Sequence, residues 1–145
     1  MRRKDLARKI RVLIVDDDPV VRRGIHFLIA GQPDMVVCGE TEDAPDALAK
    51  VVELRPEVAT VDLNLGSESG LELIRRMRAL GSAPRILVLS FHEERPYVDG
   101  AAAAGADAYV TKGAATQSLV GAIRQLMLPR NLRASPSEPC VISSS

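Results

Sequence analysis

The stretch Val58-Ala59-Thr60-Val61-Asp62-Leu63-Asn64-Leu65-Gly66 decides the fold. Its first four residues are apolar or β-branched, which predicts a short buried strand. The run ends on a carboxylate, Asp62, followed by loop residues. An unpaired charge in the middle of a buried strand is costly. At the carboxyl end of a parallel strand, the same acid faces the crevice where α/β sheets bind ligands. The question is then which other groups reach that crevice.

Working outward toward the amino terminus, Val12-Leu13-Ile14-Val15 predicts a first buried strand, ended by Asp16-Asp17-Asp18-Pro19. Asp18 suits the N-cap and Pro19 the first position of a helix. Val20, Gly24, Phe27 and Leu28 recur at helical spacing, and Gly31 and Pro33 stop that helix. Met35 to Cys38 reads as a second strand. Asp43 and Pro45 repeat the cap-then-proline pattern, with Ala47, Leu48, Val51 and Leu54 as the apolar face of a second helix.

In the other direction, Gly66 to Gly70 reads as a flexible loop and Ser69 as the cap of a third helix. Leu71, Ile74, Met77 and Arg78 follow, Leu73 and Leu80 broaden the apolar stripe, and Gly81 ends the helix. Arg85 to Ser90 predicts a fourth strand. A fourth helix between Glu93 and Ala104 is a poor one: Pro96 must sit in its first turn, Gly100 falls in its middle, and Ala101 to Ala104 bury little area. Ala108-Tyr109-Val110 is a fifth strand, followed by Thr111-Lys112-Gly113, and Leu119, Ala122, Ile123 and Leu126 mark a fifth helix. Strands alternating with helices predict an α/β fold, a doubly wound parallel sheet of five strands with helices on both faces.

At 145 residues, this is one domain with a real core. Lys+Arg and Asp+Glu both number 19, so no global charge bias points to nucleic acid or an anionic membrane. Cys38 and Cys140 suggest neither a disulfide framework nor a metal site, and a reduced cytoplasmic location fits. No apolar run is long enough to span a bilayer. Residues 1–10 read as a basic extension, 11–128 as the domain, and 129–145 as a flexible Pro/Ser-rich tail or linker.

In a parallel sheet all strand carboxyl ends share one edge. Asp16 and Asp17 end the first strand, Asp62 the third and Ser90 the fourth, and Lys112 follows the fifth. Taken singly, these are caps, a turn residue and a surface lysine; their joint placement argues against chance. Clustered carboxylates repel unless a cation shares the site. Mg²⁺ takes oxygen ligands from one or two carboxylates and water, so Asp16, Asp17, Asp62 and a loop carbonyl make an economical site. A carboxylate is also a nucleophile that yields aspartyl phosphate. A metal and a lysine would neutralise the transferring phosphoryl group, and Ser90 could hydrogen-bond its oxygens.

With Val12 to Asp17, Val61 to Leu65, Ser69 to Leu73, Leu87 to Ser90 and Ala108 to Lys112 in this order, the chain resembles the receiver domains of bacterial two-component response regulators. The resemblance runs from about Ile10 to Leu128. It implies a CheY-like sheet of order 2-1-3-4-5, with Asp62 as phosphoacceptor. It also implies that Asp16, Asp17, Asp62 and the main-chain carbonyl of Asn64 hold Mg²⁺. Ser90 becomes the switch hydroxyl, Tyr109 the switch aromatic and Lys112 the phosphate-contacting lysine. The implied donor is a sensor histidine kinase, with homodimer formation on phosphorylation as a further expectation.

Ser90 to Glu94 and Leu119 to Arg124 resemble the LuxR-type subfamily, whose output domain is a helix-turn-helix. Contact with DNA would come only through such a domain, outside this chain; a receiver fragment and a stand-alone receiver with a tail both remain open. Two positions depart from the family pattern. Gly66 stands where proline is common, implying a looser loop, and Phe91 stands where a small residue is usual, implying narrower access to the phosphoryl group. His26 reads as a packed or surface histidine and His92 as a loop residue. Two rival readings are an Asp-nucleophile phosphatase and a degenerate receiver acting as a protein-binding module. The first would need a second catalytic acid and a cap; the second is opposed by the intact set Asp16, Asp17, Asp62, Ser90 and Lys112.

Overall fold

In a computed structural model, which describes residues 8–133 and 140–142, five β-α units follow one another and a short strand closes the order. The strands are β1 (Ile10–Val15), β2 (Met35–Thr41), β3 (Val58–Asp62), β4 (Arg85–Ser90), β5 (Ala108–Thr111) and β6 (Cys140–Ile142). The helices are α1 (Pro19–Ala30), α2 (Ala44–Leu54), α3 (Gly70–Ala79), α4 (Arg95–Ala104) and α5 (Ala115–Met127). All strand pairings in the main sheet are parallel, in the order β2-β1-β3-β4-β5-β6. The expected 2-1-3-4-5 core is therefore present, with a sixth strand added at its edge.

Side chains alternate across the sheet, as period-two geometry requires. Val12 and Ile14 of β1 pack with Ile25 and Ile29 of α1 and with Leu119 and Ile123 of α5. Leu13 and Val15 face the other way, toward Val51 of α2, Ile74 and Met77 of α3 and Val98 of α4. β3 is buried along its whole length, as a central parallel strand must be.

Helix starts follow the predicted caps. Asp18 accepts from the Val20 N–H at 2.9 Å, Asp43 from the Asp46 N–H at 2.8 Å and Ser69 from the Glu72 N–H at 3.3 Å. Each such cap contributes about 1 kcal/mol. α4 is the exception: Glu94 at its N-cap makes no side-chain capping bond, and only Val98, Ala101 and Ala104 are buried.

Three expectations are corrected in detail. The inward stripe of α1 is Ile25 and Ile29 with Val21 and Leu28 beside them, whereas Val20 and Phe27 are 73% and 78% exposed. Both stripes have apolar residues at helical spacing; the buried one carries two isoleucines where the other carries Gly24, and so removes more apolar area from water. Gly66 to Gly70 forms a hairpin, with Asn64–Leu65 paired antiparallel to Glu68–Ser69. Gly66 turns it with φ of 63°, a left-handed conformation that glycine adopts without strain. The tail reading also needs revision: Arg130–Leu132 is a 3₁₀ turn, and β6 lies beside β5 with Tyr109 opposite Val141. The unpaired edge of β5 offers hydrogen bonds to any extended segment, and the run Cys140-Val141-Ile142 is the apolar part of an otherwise polar tail. Residues 1–7 of the basic extension, and 134–139 and 143–145 of the tail, lie outside the described residues. Ile10 already belongs to β1.

Candidate functional site

Strand register assembles the site. Val15 is opposite Val61, so Asp16 and Asp62 come side by side one step further on. Asp62 is opposite Leu89, which brings Ser90 next to the rim. Ser90 is opposite Thr111, so Lys112 follows immediately beyond. Side-chain oxygens of Asp16, Asp17 and Asp62 lie within 4.8 Å of one another. Asp16 and Asp62 are buried and Asp17 is exposed.

Lys112 is the cation among them. Its Nζ lies 3.0 Å from Asp16 Oδ2 and 3.0 Å from Asp62 Oδ2, and its side chain is 7% exposed. It donates a hydrogen bond to Asp62 Oδ2, while Asp62 Oδ1 accepts the Asn64 N–H at 3.1 Å. The Asp62 carboxylate is thus held at both oxygens. Asp16 Oδ1 accepts the Asp18 N–H at 2.9 Å, but Asp16 Oδ2 has only the charge contact with Lys112 and no hydrogen bond. Burial pushes the Asp16 carboxyl up, against the lowering pull of the Asp18 N–H and Lys112. Burial alone would lower Lys112, but Asp16 and Asp62 outweigh it and hold the ammonium above its ordinary range. Three carboxylates offering hard oxygen donors, one of them a buried oxygen short of a hydrogen bond, fit a hard divalent cation.

The loop after Asp62 is held by the Gly70 N–H, which donates to the Leu63 carbonyl at 2.9 Å. A Cβ on Gly70 would collide with the Asp62 carbonyl and lie 2.6 Å from Leu63 Cα, so no side chain fits there. Ser90 is fully buried and its Oγ accepts the His92 N–H at 3.1 Å. Tyr109 is fully buried and its hydroxyl donates to the His92 carbonyl at 2.6 Å. Burial raises the Tyr109 hydroxyl above its ordinary pKa, partly offset by the neighbouring Ser90 hydroxyl.

All of the expected site residues therefore gather on one rim or next to it. Three contacts were not visible in the sequence. The Arg22 guanidinium donates to the Asp16 carbonyl at 2.7 Å and braces the β1 turn from α1. Phe91 is 72% exposed, yet its ring centroid is 4.8 Å from Lys112 Nζ, a cation–π contact on the outer side of the lysine. His92 stacks on Tyr97. No pattern of spacing marks the first two; only the position of Phe91 after the rim residue Ser90 hinted at proximity. His26 pairs at the surface with Glu40, its Nδ1 2.7 Å from Glu40 Oε2 and clear of the rim contacts.

The family model for the response regulator receiver domain matches residues 12–124. Response regulator GacA of Pseudomonas aeruginosa is 35% identical over 81% of this chain and 55% of its own length. A protein named protein-glutamate methylesterase/protein-glutamine glutaminase, from a Nocardioides species, is 36% identical over 83% of this chain but 34% of its own length. The chain thus spans about half, or less, of these relatives. Among solved structures, a LuxR-family two-component response regulator from an Aurantimonas species superposes with a TM-score of 0.76 at 36% identity, covering 80% of this chain and 83% of that one. This chain belongs to the family of response regulator receiver domains.

Proposed function

We propose that Asp62 is the residue phosphorylated in this receiver, and that a sensor histidine kinase is its donor. The observation that carries the reading is the Lys112 ammonium, 3.0 Å from both Asp62 and Asp16 at the carboxyl edge of the sheet. In the reaction, an Asp62 oxygen attacks phosphorus and the bond from phosphorus to the donor's imidazole nitrogen breaks. That nitrogen keeps the electron pair and, with the other ring nitrogen carrying a proton, the donor leaves as neutral imidazole. Lys112 moves no proton; its fixed charge stabilises the phosphoryl oxygens as they pass from donor to acceptor. The Asn64 N–H and the Gly70 contact hold the loop so that the carboxylate is already oriented. Asp16, Asp17, Asp62 and the main-chain carbonyl of Asn64 would hold Mg²⁺. The ion would neutralise charge on the phosphoryl group as a Lewis acid. Ser90 then turns its hydroxyl to the phosphoryl group and Tyr109 reports the change, a shift between two states of one fold.

Among the described residues no helix is long and apolar enough to cross a membrane. We place the protein in the cytoplasm, as a switch that catalyses its own phosphorylation. Control of transcription through a LuxR-type output domain, with pairing of two phosphorylated receivers, is the downstream role that the regulator relatives support. The test is incubation with acetyl phosphate and Mg²⁺. A phosphate-sized mass increase, labile to hydroxylamine and lost in Asp62→Asn, is expected. Continuous turnover without a stable adduct, or an unchanged mass, would refute the assignment.

A further inference from the structure

His92 touches three parts of the molecule with three different groups. Its N–H donates to Ser90 Oγ at 3.1 Å, and its carbonyl accepts from the Tyr109 hydroxyl at 2.6 Å. Its imidazole lies flat on the Tyr97 ring, with centroids 4.0 Å apart and planes 7° from parallel. Ser90 ends β4, Tyr109 lies in β5 and Tyr97 stands in the first turn of α4. One loop residue therefore joins the buried hydroxyl at the rim, the buried aromatic of the next strand and the start of a helix.

We infer that the His92–Tyr97 stack is a positioning element that carries a change at Ser90 into α4. The inference rests on the reading of Asp62 as phosphoacceptor. It follows from what each contact can do when Ser90 moves. The Ser90 oxygen faces the His92 N–H; if it rotates toward a phosphoryl oxygen on Asp62, that bond is given up. The released N–H sits in the loop that also receives the Tyr109 hydroxyl, so the loop must rearrange and the Tyr109 contact with it. Backbone shifts alone would end in this loop. α4 has no side-chain cap to tie its first turn to the residues before it. The face-to-face stack supplies that tie: when His92 moves, the Tyr97 ring follows or the contact is lost.

Tyr97 also borders the acceptor loop across a groove lined by Leu63, Asn64, Leu71 and Pro96. A shift of the first turn of α4 therefore changes the surface beside Asp62. The stack is not a core contact whose removal would unfold the domain: Tyr97 is 42% exposed and the His92 side chain 35%. Toward Ser90 and Tyr109, His92 uses only its own main-chain N–H and carbonyl, which persist in any substitution other than proline, and the imidazole's other contact is with Glu94, its Nδ1 3.6 Å from Oε2. His92 and Tyr97 are thus separable from the chemistry at Asp62.

The experiment uses the full chain with acetyl phosphate and Mg²⁺, reading phosphate mass and amide hydrogen exchange over residues 95–104. In the parent protein, phosphorylation should change exchange in this segment. In His92→Ala and Tyr97→Leu, phosphate should be gained at a rate within about two-fold of the parent, while the phosphorylation-dependent change in α4 disappears. His92→Phe and Tyr97→Phe keep two stacked rings and should restore it. Circular dichroism checks that each variant is folded; should one of the first pair unfold, the other and the two Phe variants decide. A full α4 response in the Ala or Leu variant, no response in the Phe variants, or no α4 response in the phosphorylated parent would each overturn the inference. Absence of phosphate on the parent would instead refute the assignment of Asp62.

Discussion

Gly100→Ala tests whether α4 is the loosest helix of the domain. Gly100 lies in the middle of α4, where glycine costs about 1 kcal/mol relative to alanine. A methyl group has room: an ideal Cβ meets only Leu71 Cδ1, at 3.7 Å, an ordinary van der Waals contact on α3. No strain therefore offsets the gain in helix propensity. The helix has little else to hold it, since its N-cap makes no side-chain bond and two of its three buried residues are alanines. A gain of about 1 kcal/mol in a domain of this size raises Tm by about 3–6 °C. Where α4 opens locally, the same gain slows amide exchange over residues 96–104 by about five-fold. Thermal melts and hydrogen exchange read both effects. If phosphorylation works partly by ordering α4, the variant should also show a smaller phosphorylation-dependent gain in protection. An unchanged or lower Tm, or residues 96–104 already as protected in the parent as α1, would refute the reasoning.

The other predictions bear on the rim and the surface. Asp17→Asn removes an exposed carboxylate from the three-acid cluster and should weaken both the Mg²⁺-dependent rise in Tm and phosphorylation; a normal Mg²⁺ titration would remove Asp17 from the ligand set. Gly70→Ala pushes a methyl into the Asp62 carbonyl and Leu63 backbone and should cost about 1–3 kcal/mol in urea unfolding, with an unchanged midpoint as the refuting result. Lys112→Ala strands the buried Asp16 carboxylate; breaking a buried pair costs about 3–5 kcal/mol, and added Mg²⁺ should restore part of the lost Tm, so a loss the cation does not touch would count against the shared site. Arg124 holds the Asp34 carboxyl below its ordinary value of 3.8, chiefly by hydrogen bonding. A depressed folded-state pKa means the stabilisation is present above that ordinary value and fades as pH falls through the folded one. The stability difference between the parent and Arg124→Ala should therefore shrink only in acid, and a difference that grows in acid would reverse the assigned sign.

What the sequence shows and hides follows from how local each signal is. The strand ending at Asp62 was legible because a β-branched run stopping on an acid has few physical uses, and the rim followed from parallel geometry. The caps at Asp18, Asp43 and Ser69 were legible because each is a contact within three residues. The buried face of α1 was not, since the Val20 and Val21 stripes have the same period and only packing against β1 and α5 separates them. Gly66 invited a loose loop, but positive φ lets the same residue close a tight hairpin. β6 was hidden because the Pro/Ser composition of 129–145 swamps three apolar residues whose partner, β5, lies about thirty positions away. The link from His92 to Tyr97 needs the β4–α4 loop already folded, and no pattern in the chain announces it.

The rim is organised by a shortage of positive charge. Asp16, Asp17 and Asp62 face one ammonium, which lies midway between the two buried acids and gives a hydrogen bond to only one. Phosphorylation at Asp62 would not relieve this. Conversion of the carboxylate to an acyl phosphate would remove its charge, but the phosphoryl group would bring about −1.5 to −2 in return. Lys112 would then be drawn to the phosphoryl oxygens and away from Asp16, whose second oxygen already has no hydrogen bond. That would leave a carboxylate 1% exposed with the Asp18 N–H but no charge partner, a state costly enough to need a second cation. With three carboxylates and one ammonium, a divalent cation is therefore expected to share the site before transfer as well as after it. Phe91 meets the same ammonium from its exposed side, its ring face adding negative electrostatic potential next to Lys112 Nζ. It thus helps hold the ammonium in place without adding another formal charge to a cluster already short of cations.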